Sequence, residues 1–187
     1  MKKVLFALGA TALLAAPAAA QIPHITPFSF EARAGAAIPT GDLNDETGPG
    51  LALSGSVTYH AIPLIGVYAG GSYNKFSIDD SDADFTDAGL DAGLRLGIPT
   101  PLIPIDPWIK AGVVVHQAKV SLDGDSESAD WGTGFEVGGG LGFGFGPVSI
   151  TPGISYVHYN SSVDDGEDET DVKVGYVKAD IGVRIRL

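Results

Sequence analysis

Carboxylates are the most numerous chemically competent side chains in this 187-residue chain, and they are unevenly spread. Four eleven-residue windows, 39–49, 77–87, 121–131 and 161–171, hold 18 of the 23 Asp and Glu residues and no Lys or Arg. Asp79, Asp80, Asp82 and Asp84 crowd one window, Asp123, Asp125 and Glu127 another, and Asp164, Asp165 and Glu167 a third. Such clusters offer the hard oxygen donors that Ca2+ and Mg2+ prefer. The run from Asp123 opens like an EF-hand loop, but Ser128 stands where that loop needs Gly and Gly134 where it needs Glu. Divalent cations at these loops are therefore an expectation from donor chemistry alone, set against the plainer reading of a solvated, self-repelling acidic brush. The absence of Cys and the scatter of the four His residues leave no zinc or copper set, and no other cofactor is expected.

Nucleophilic chemistry has weaker footing. His158 precedes Ser161 and Ser162, and His116 precedes Ser121. A general base must lie within hydrogen-bond reach of its nucleophile, on the same face of its element. The residue two beyond His158, which would share its face on a strand, is Asn160 rather than Ser. His24 and His60 stand apart from any such partner. The chain is not expected to be an enzyme.

Between the acidic windows the chain reads as pairs of strands joined by tight connections at 61–64, 99–107 and 146–147. Period-two alternation marks strands at about 28–38, 50–60, 65–76, 88–98, 108–120, 133–145, 148–160 and 172–187. The fourth is the clearest, with Ala88, Leu90, Ala92, Leu94, Leu96 and Ile98 against Gly89, Asp91, Gly93, Arg95 and Gly97. Pro152 interrupts the seventh, as at a bulge. The polar faces carry both signs: Glu31, Asp91, Glu136 and Asp180 against Arg33, Arg95, Lys110, Lys178, Arg184 and Arg186. Long acidic loops at one end and tight turns at the other make the two ends chemically different, as a membrane-spanning barrel requires.

Alternation alone leaves a soluble lipocalin-like barrel open, with the apolar face inside. A β-propeller fits poorly, since each repeat here holds two long strands instead of four short ones. The membrane reading has three supports. Charges of both signs can pair in a narrow eight-stranded lumen, and glycines on the lumen faces leave room for long side chains. Aromatics also gather in two bands. Phe28, Phe30, Tyr59, Trp108, Phe143 and Phe145 lie towards the turns, and Tyr73, Phe76, Trp131, Phe135, Tyr156 and Tyr159 towards the loops. The fold expected is all-β, an eight-stranded antiparallel transmembrane up-and-down barrel with short periplasmic turns and four longer acidic extracellular loops. Lys75, Lys119 and Lys173 border the acidic windows with the parity of the lipid-facing side chains. At headgroup level they could meet lipid phosphates, or simply snorkel.

The N-terminus supplies an address. Lys2 and Lys3, the apolar run 4–14 and the A-x-A end at 18–20 form a secretory signal peptide over 1–20, leaving 21–187 as one barrel domain. Losing the two lysines takes the net charge from −12 to −14, so a nucleic-acid partner is not expected.

The stretch Ala36-Ala37-Ile38-Pro39-Thr40-Gly41-Asp42-Leu43, together with the alternating end Asp180-Ile181-Gly182-Val183-Arg184-Ile185-Arg186-Leu187, resembles the small eight-stranded barrels of the OmpX, OmpW and OmpA-barrel kind. This is the porin-like outer-membrane β-barrel family. The resemblance covers the whole mature chain and implies a place in the bacterial outer membrane, insertion by the barrel-assembly machinery and contact with lipopolysaccharide. Family members usually end in an aromatic residue read by that machinery. Here Leu187 stands last, so either Leu serves or the alternating Ile181, Val183 and Ile185 carry the signal. Function is expected to be structural or surface-interacting, in a monomer whose lumen is filled by paired Glu31, Arg33, Asp91, Arg95, Glu136, Lys178, Asp180, Arg184 and Arg186. Narrow transport of small hydrophobic molecules comes second, and lipid A modification third.

Overall fold

The computed structural model describes residues 27–45, 47–62, 64–78, 83–100, 105–122, 125–164 and 169–187. The expected signal peptide and His24 lie outside them. The strands are β1 (Phe28–Thr40), β2 (Gly50–Ile62), β3 (Ile65–Ser77), β4 (Asp84–Gly97), β5 (Trp108–Leu122), β6 (Asp125–Gly140), β7 (Phe143–Phe145), β8 (Val148–Asp164) and β9 (Glu169–Arg186). Every pairing between them is antiparallel. The order runs β6-β5-β4-β3-β2-β1-β9-β8-β7, and a further β6–β8 pairing closes the wall. β6 and β7 both pair with β8 and form one interrupted wall strand, so the barrel has eight staves.

That interruption has a local cause. Gly140 pairs with Gly153 and Phe143 with Ile150, so the register is the same on both sides of the gap. The residues between face Pro152, which has no N–H to give the ladder, while its carbonyl still accepts from the Leu141 N–H at 3.1 Å. Pro152 thus makes a gap in the ladder and not the bulge expected of it. The bulges lie elsewhere, between His60 and Ile62 and between Gln117 and Lys119. The β7–β8 turn is the two-residue Gly146-Pro147, with Gly146 at φ 69°, the positive φ that tight hairpins take at their first central position.

Apart from the bulges, side chains alternate between the outer and inner faces of the wall. Large apolar residues stand outward, Leu90 at 67 % and Ile181 at 61 % exposure among them, while Glu31, Asp87, His116 and Glu136 point inward and are buried. A soluble barrel has the reverse arrangement. Glycine keeps the lumen open for long side chains: a Cβ added at Gly182 would meet Thr151 Oγ1 at 2.4 Å and both Arg33 Nη1 and Glu31 Oε1 at 2.9 Å.

Three expectations change. First, the acidic windows are partly strand. β6 begins at Asp125 and not near 133, β9 begins at Glu169 and not near 172, and β8 runs on to Asp164. Antiparallel hairpins keep their backbone groups paired beyond the apolar belt, whatever their side chains. Second, Trp108, Phe76 and Tyr159 belong to no girdle. They have the parity of the lumen residues and are buried there, whereas Phe28, Phe30, Tyr59, Tyr73, Trp131, Phe135, Phe143 and Phe145 stand outward. Third, the outer end of the lumen is apolar. Phe76 packs 5.7 Å from Phe85 and 5.6 Å from Tyr176, among Ala37, Val157 and Val174, and Leu43 of the 3-10 turn Gly41–Asp45 packs against this cluster.

Candidate functional site: the lumen and its two mouths

Inward parity on β1, β4, β5, β6 and β9 stacks the lumen into tiers. At the turn end, Glu31 Oε2 accepts from Arg95 Nη1 and Arg184 Nε, each at 2.9 Å, and Oε1 meets Arg33 Nη1 and Thr151 Oγ1. Arg33 reaches on to Asp180 Oδ1, donating from Nε at 3.0 Å and from Nη2 at 2.5 Å. The Arg95 guanidinium lies 3.9 Å over the Trp108 ring, with Arg33 5.1 Å from it. This stacking gives Trp108 a lumen role that a reading based on aromatic bands overlooks.

In the middle tier Glu136 holds Lys110 Nζ at 2.7 Å and accepts from the Tyr68 hydroxyl at 3.1 Å. Lys178 Nζ forms a second ion pair with Glu136 Oε2 at 3.1 Å.

The third tier centres on Asp87 and His116, which sequence reasoning did not place in the lumen network. Asp87 accepts from Tyr159 at 2.9 Å, Tyr176 at 2.5 Å and Asn74 at 3.0 Å, and lies 3.1 Å from His116 Nδ1. His116 Nε2 is 2.9 Å from Asp91 and 3.2 Å from the Ser72 hydroxyl. The parity of His116 with Lys110, and of Asp87 with Asp91, was the signal that could have found both.

Ser72, His116 and Asp87 thus stand in the order of a hydrolase triad. Two features oppose that chemistry. Asp91 competes for the nitrogen that a serine nucleophile needs as its base. His116 and Asp87 are also fully buried, with the Phe76 cluster in the outer lumen. A ring that donates to both carboxylates is an imidazolium, which suits an ion cluster and does not serve general-base catalysis. His158 is elsewhere, outward on β8, stacked on Tyr156 at 6.4 Å and 5.8 Å from Phe135. Ser161 faces the opposite way and donates to the Asp130 carbonyl at 2.5 Å.

Of the nine residues expected in the lumen network, eight meet there. Arg186 does not: it shares the parity of Arg184 but lies at the strand end, half exposed, and pairs with Asp106 at 3.1 Å on the turn-side rim. Five inward carboxylates (Glu31, Asp87, Asp91, Glu136 and Asp180) face five inward bases (Arg33, Arg95, Lys110, Lys178 and Arg184), with His116 between two of the acids.

At the outer rim Lys75, Lys119 and Lys173 are all exposed. Lys75 and Lys119 both pair across strands with Thr86, so they stand on one side of the barrel, and Lys173 stands apart on β9. Lys75 Nζ is 2.7 Å from Asp84 Oδ2. Asp79, Asp80, Asp82, Asp123, Asp165 and Glu167 lie outside the described residues. Asp125 and Glu127 fall within β6, and Asp164 ends β8. Among the described residues no group of three or more His, Asp or Glu side chains is placed to hold a metal ion.

Residues 6–179 match the family model described as the outer membrane protein beta-barrel domain. No curated protein sequence matches. Among solved structures, Neisserial surface protein A is similar at 21 % identity with a TM-score of 0.67, over 86 % of this chain and 97 % of that one. OprG from Pseudomonas aeruginosa is similar at 14 % identity with a TM-score of 0.55, over 89 % and 100 %. A major outer membrane protein from Thermus thermophilus is similar at 14 % identity and a TM-score of 0.56, over 86 % and 99 %. With an apolar belt outside, paired charges inside and that family match, this chain belongs to the outer membrane protein β-barrel domain family and is a bacterial outer-membrane protein.

Proposed function

We propose that this barrel is a sealed structural and surface-interacting protein of the outer membrane, not a conduit and not an enzyme. The observation that carries this reading is the interlocked lumen, in which side chains from opposing walls meet across the axis at hydrogen-bond distance in successive tiers. Eight staves enclose little more than side-chain width. Here that width is taken up by ion pairs below and by the Phe76, Phe85 and Tyr176 cluster above. A hydrophobic solute entering from outside meets a filled apolar plug, and beyond it charges that cannot part cheaply.

The working surface is then the outer rim. The Lys75–Lys119 side is suited to the phosphates of lipopolysaccharide, with acidic hairpins above it to take up Ca2+ or Mg2+ that bridge the same phosphates. The barrel works as a monomer and is inserted by the barrel-assembly machinery from the alternating β9. Planar-bilayer recording of the purified protein tests the sealed lumen. Only rare, small current steps are expected, and a stable, large single-channel conductance overturns the reading.

A further inference from the structure

The lumen charges are unevenly shared along the axis. In the turn-side tier one carboxylate, Glu31, receives three guanidiniums, from Arg33, Arg95 and Arg184, and only Arg33 has a second carboxylate, Asp180. Arg95 and Arg184 therefore divide one oxygen between them, and each has a nitrogen to spare. Among the described residues Arg95 Nη2, Arg184 Nη2 and Trp108 Nε1 have no hydrogen-bond partner. The three residues are only 7 %, 5 % and 3 % exposed. They form one cluster, because Glu31 Oε2 bridges the two arginines and Arg95 lies 3.9 Å over the Trp108 ring. A buried donor without an acceptor costs about 1–3 kcal/mol, more when it is charged.

All three side chains line a vestibule of about 700 Å³ at the turn-side mouth. His60 and Arg186 also line it, and its apolar wall includes Phe28, Ile62 and Leu64. Asp106 is the carboxylate on its described wall and is held by Arg186.

We propose that this vestibule is an oxyanion site that takes a phosphate group from the periplasmic side. Arg186 and His60 meet the anion at the entrance, and the spare nitrogens of Arg95, Arg184 and Trp108, which lie just behind the vestibule wall, come to it by a turn of their side chains. Two guanidiniums and an indole donor suit an oxygen-rich dianion better than a halide, since guanidinium forks match the geometry of phosphate oxygens. The apolar wall adds a place for the body of a phosphate ester. The shared chemistry is the phosphate, and its source is either free inorganic phosphate or a phospholipid headgroup. The proposal does not depend on whether the barrel conducts.

The chain has two Trp residues, and they report on opposite mouths: Trp108 in this cluster and Trp131 outward near the acidic end. Indole N–H signals of the 15N-labelled full barrel, in amine-oxide micelles that contain no phosphate, are followed during titration with inorganic phosphate, with dihexanoyl phosphatidic acid and, at matched ionic strength, with chloride. Phosphate is expected to move the Trp108 signal saturably while that of Trp131 stays in place. Tighter binding of the phosphatidic acid assigns the site to a headgroup, and equal binding assigns it to free phosphate. Arg184→Gln is expected to weaken binding roughly tenfold to a hundredfold, the worth of a charge-assisted hydrogen bond. Because that variant disturbs Glu31, His60→Gln at the rim is the second arm, expected to weaken binding roughly twofold to fivefold. An unmoved Trp108, equal movement of both indoles, or an equal response to chloride overturns the proposal.

Discussion

Replacing Glu136 with Gln removes the only carboxylate of the middle tier and nothing else of comparable size. The wild-type side chain is almost fully buried, with Lys110 Nζ 2.7 Å and Lys178 Nζ 3.1 Å away. At an effective dielectric of 20, a pair about 3 Å apart attracts by about 5 kcal/mol before desolvation is counted. Gln keeps an oxygen for Lys110 and Tyr68 but turns an amide donor towards one lysine, so two ammonium groups share a tier without an anion. Breaking a buried pair in this way costs about 3–5 kcal/mol. With a urea dependence of about 2 kcal/mol per molar, the unfolding midpoint should fall by about 2 M. The assay is urea unfolding in micelles, followed by tryptophan fluorescence and by the mobility difference between boiled and unboiled samples. A second variant, Glu136→Gln with Lys178→Met, removes one of the stranded charges and should recover part of the loss. An unchanged midpoint for Glu136→Gln, or a double variant no more stable than the single one, refutes the account of the lumen as an ion-paired plug.

The outer rim gives a second prediction. In lipopolysaccharide-containing bilayers the combined Lys75→Gln, Lys119→Gln and Lys173→Gln variant should lose lipid attraction and unfold at a lower temperature than wild type, with Lys75 contributing least because Asp84 already holds it at 2.7 Å. Thermal unfolding with and without Mg2+ measures this, and an equal Mg2+ response in wild type and variant leaves the acidic hairpins as a repulsive brush. A third prediction concerns the wall itself. A Cβ at Gly134 would lie 1.9 Å from the His158 carbonyl oxygen, so Gly134→Val forces backbone apart beyond the usual 1–3 kcal/mol of an overpacked site. The unboiled protein should then lose its fast-migrating band, and retention of that band shows that the strands can separate locally at little cost.

The sequence by itself determined the staves, the closure and the sense of the two faces. Period-two alternation is a local property of extended chain, so Leu90 and Leu94 share one face and Asp91 and Arg95 the other once a strand is granted, and the charges of both signs, able to pair in a narrow lumen, turn the second face inward. The uneven placement of acids also set which end carries the hairpins and which the turns. The same rule put Trp108, Phe76 and Tyr159 inside, against the pull of the girdle pattern, which shows that parity outranks composition on a barrel wall.

Only the tertiary structure decided which inward side chains meet. Glu31 and Arg184 are distant in sequence, yet β1 and β9 adjoin and bring them to 2.9 Å. His116 reaches Asp87 and Asp91 because β4 and β5 pair at that register. Parity says that a charge points into the lumen, but its partner depends on stagger around the closed ring, which a one-dimensional pattern does not encode. The same stagger left Arg186 at the rim and gave three guanidiniums to Glu31. Charge balance in a narrow lumen is a property of each tier, and tiers exist only after the sheet has closed.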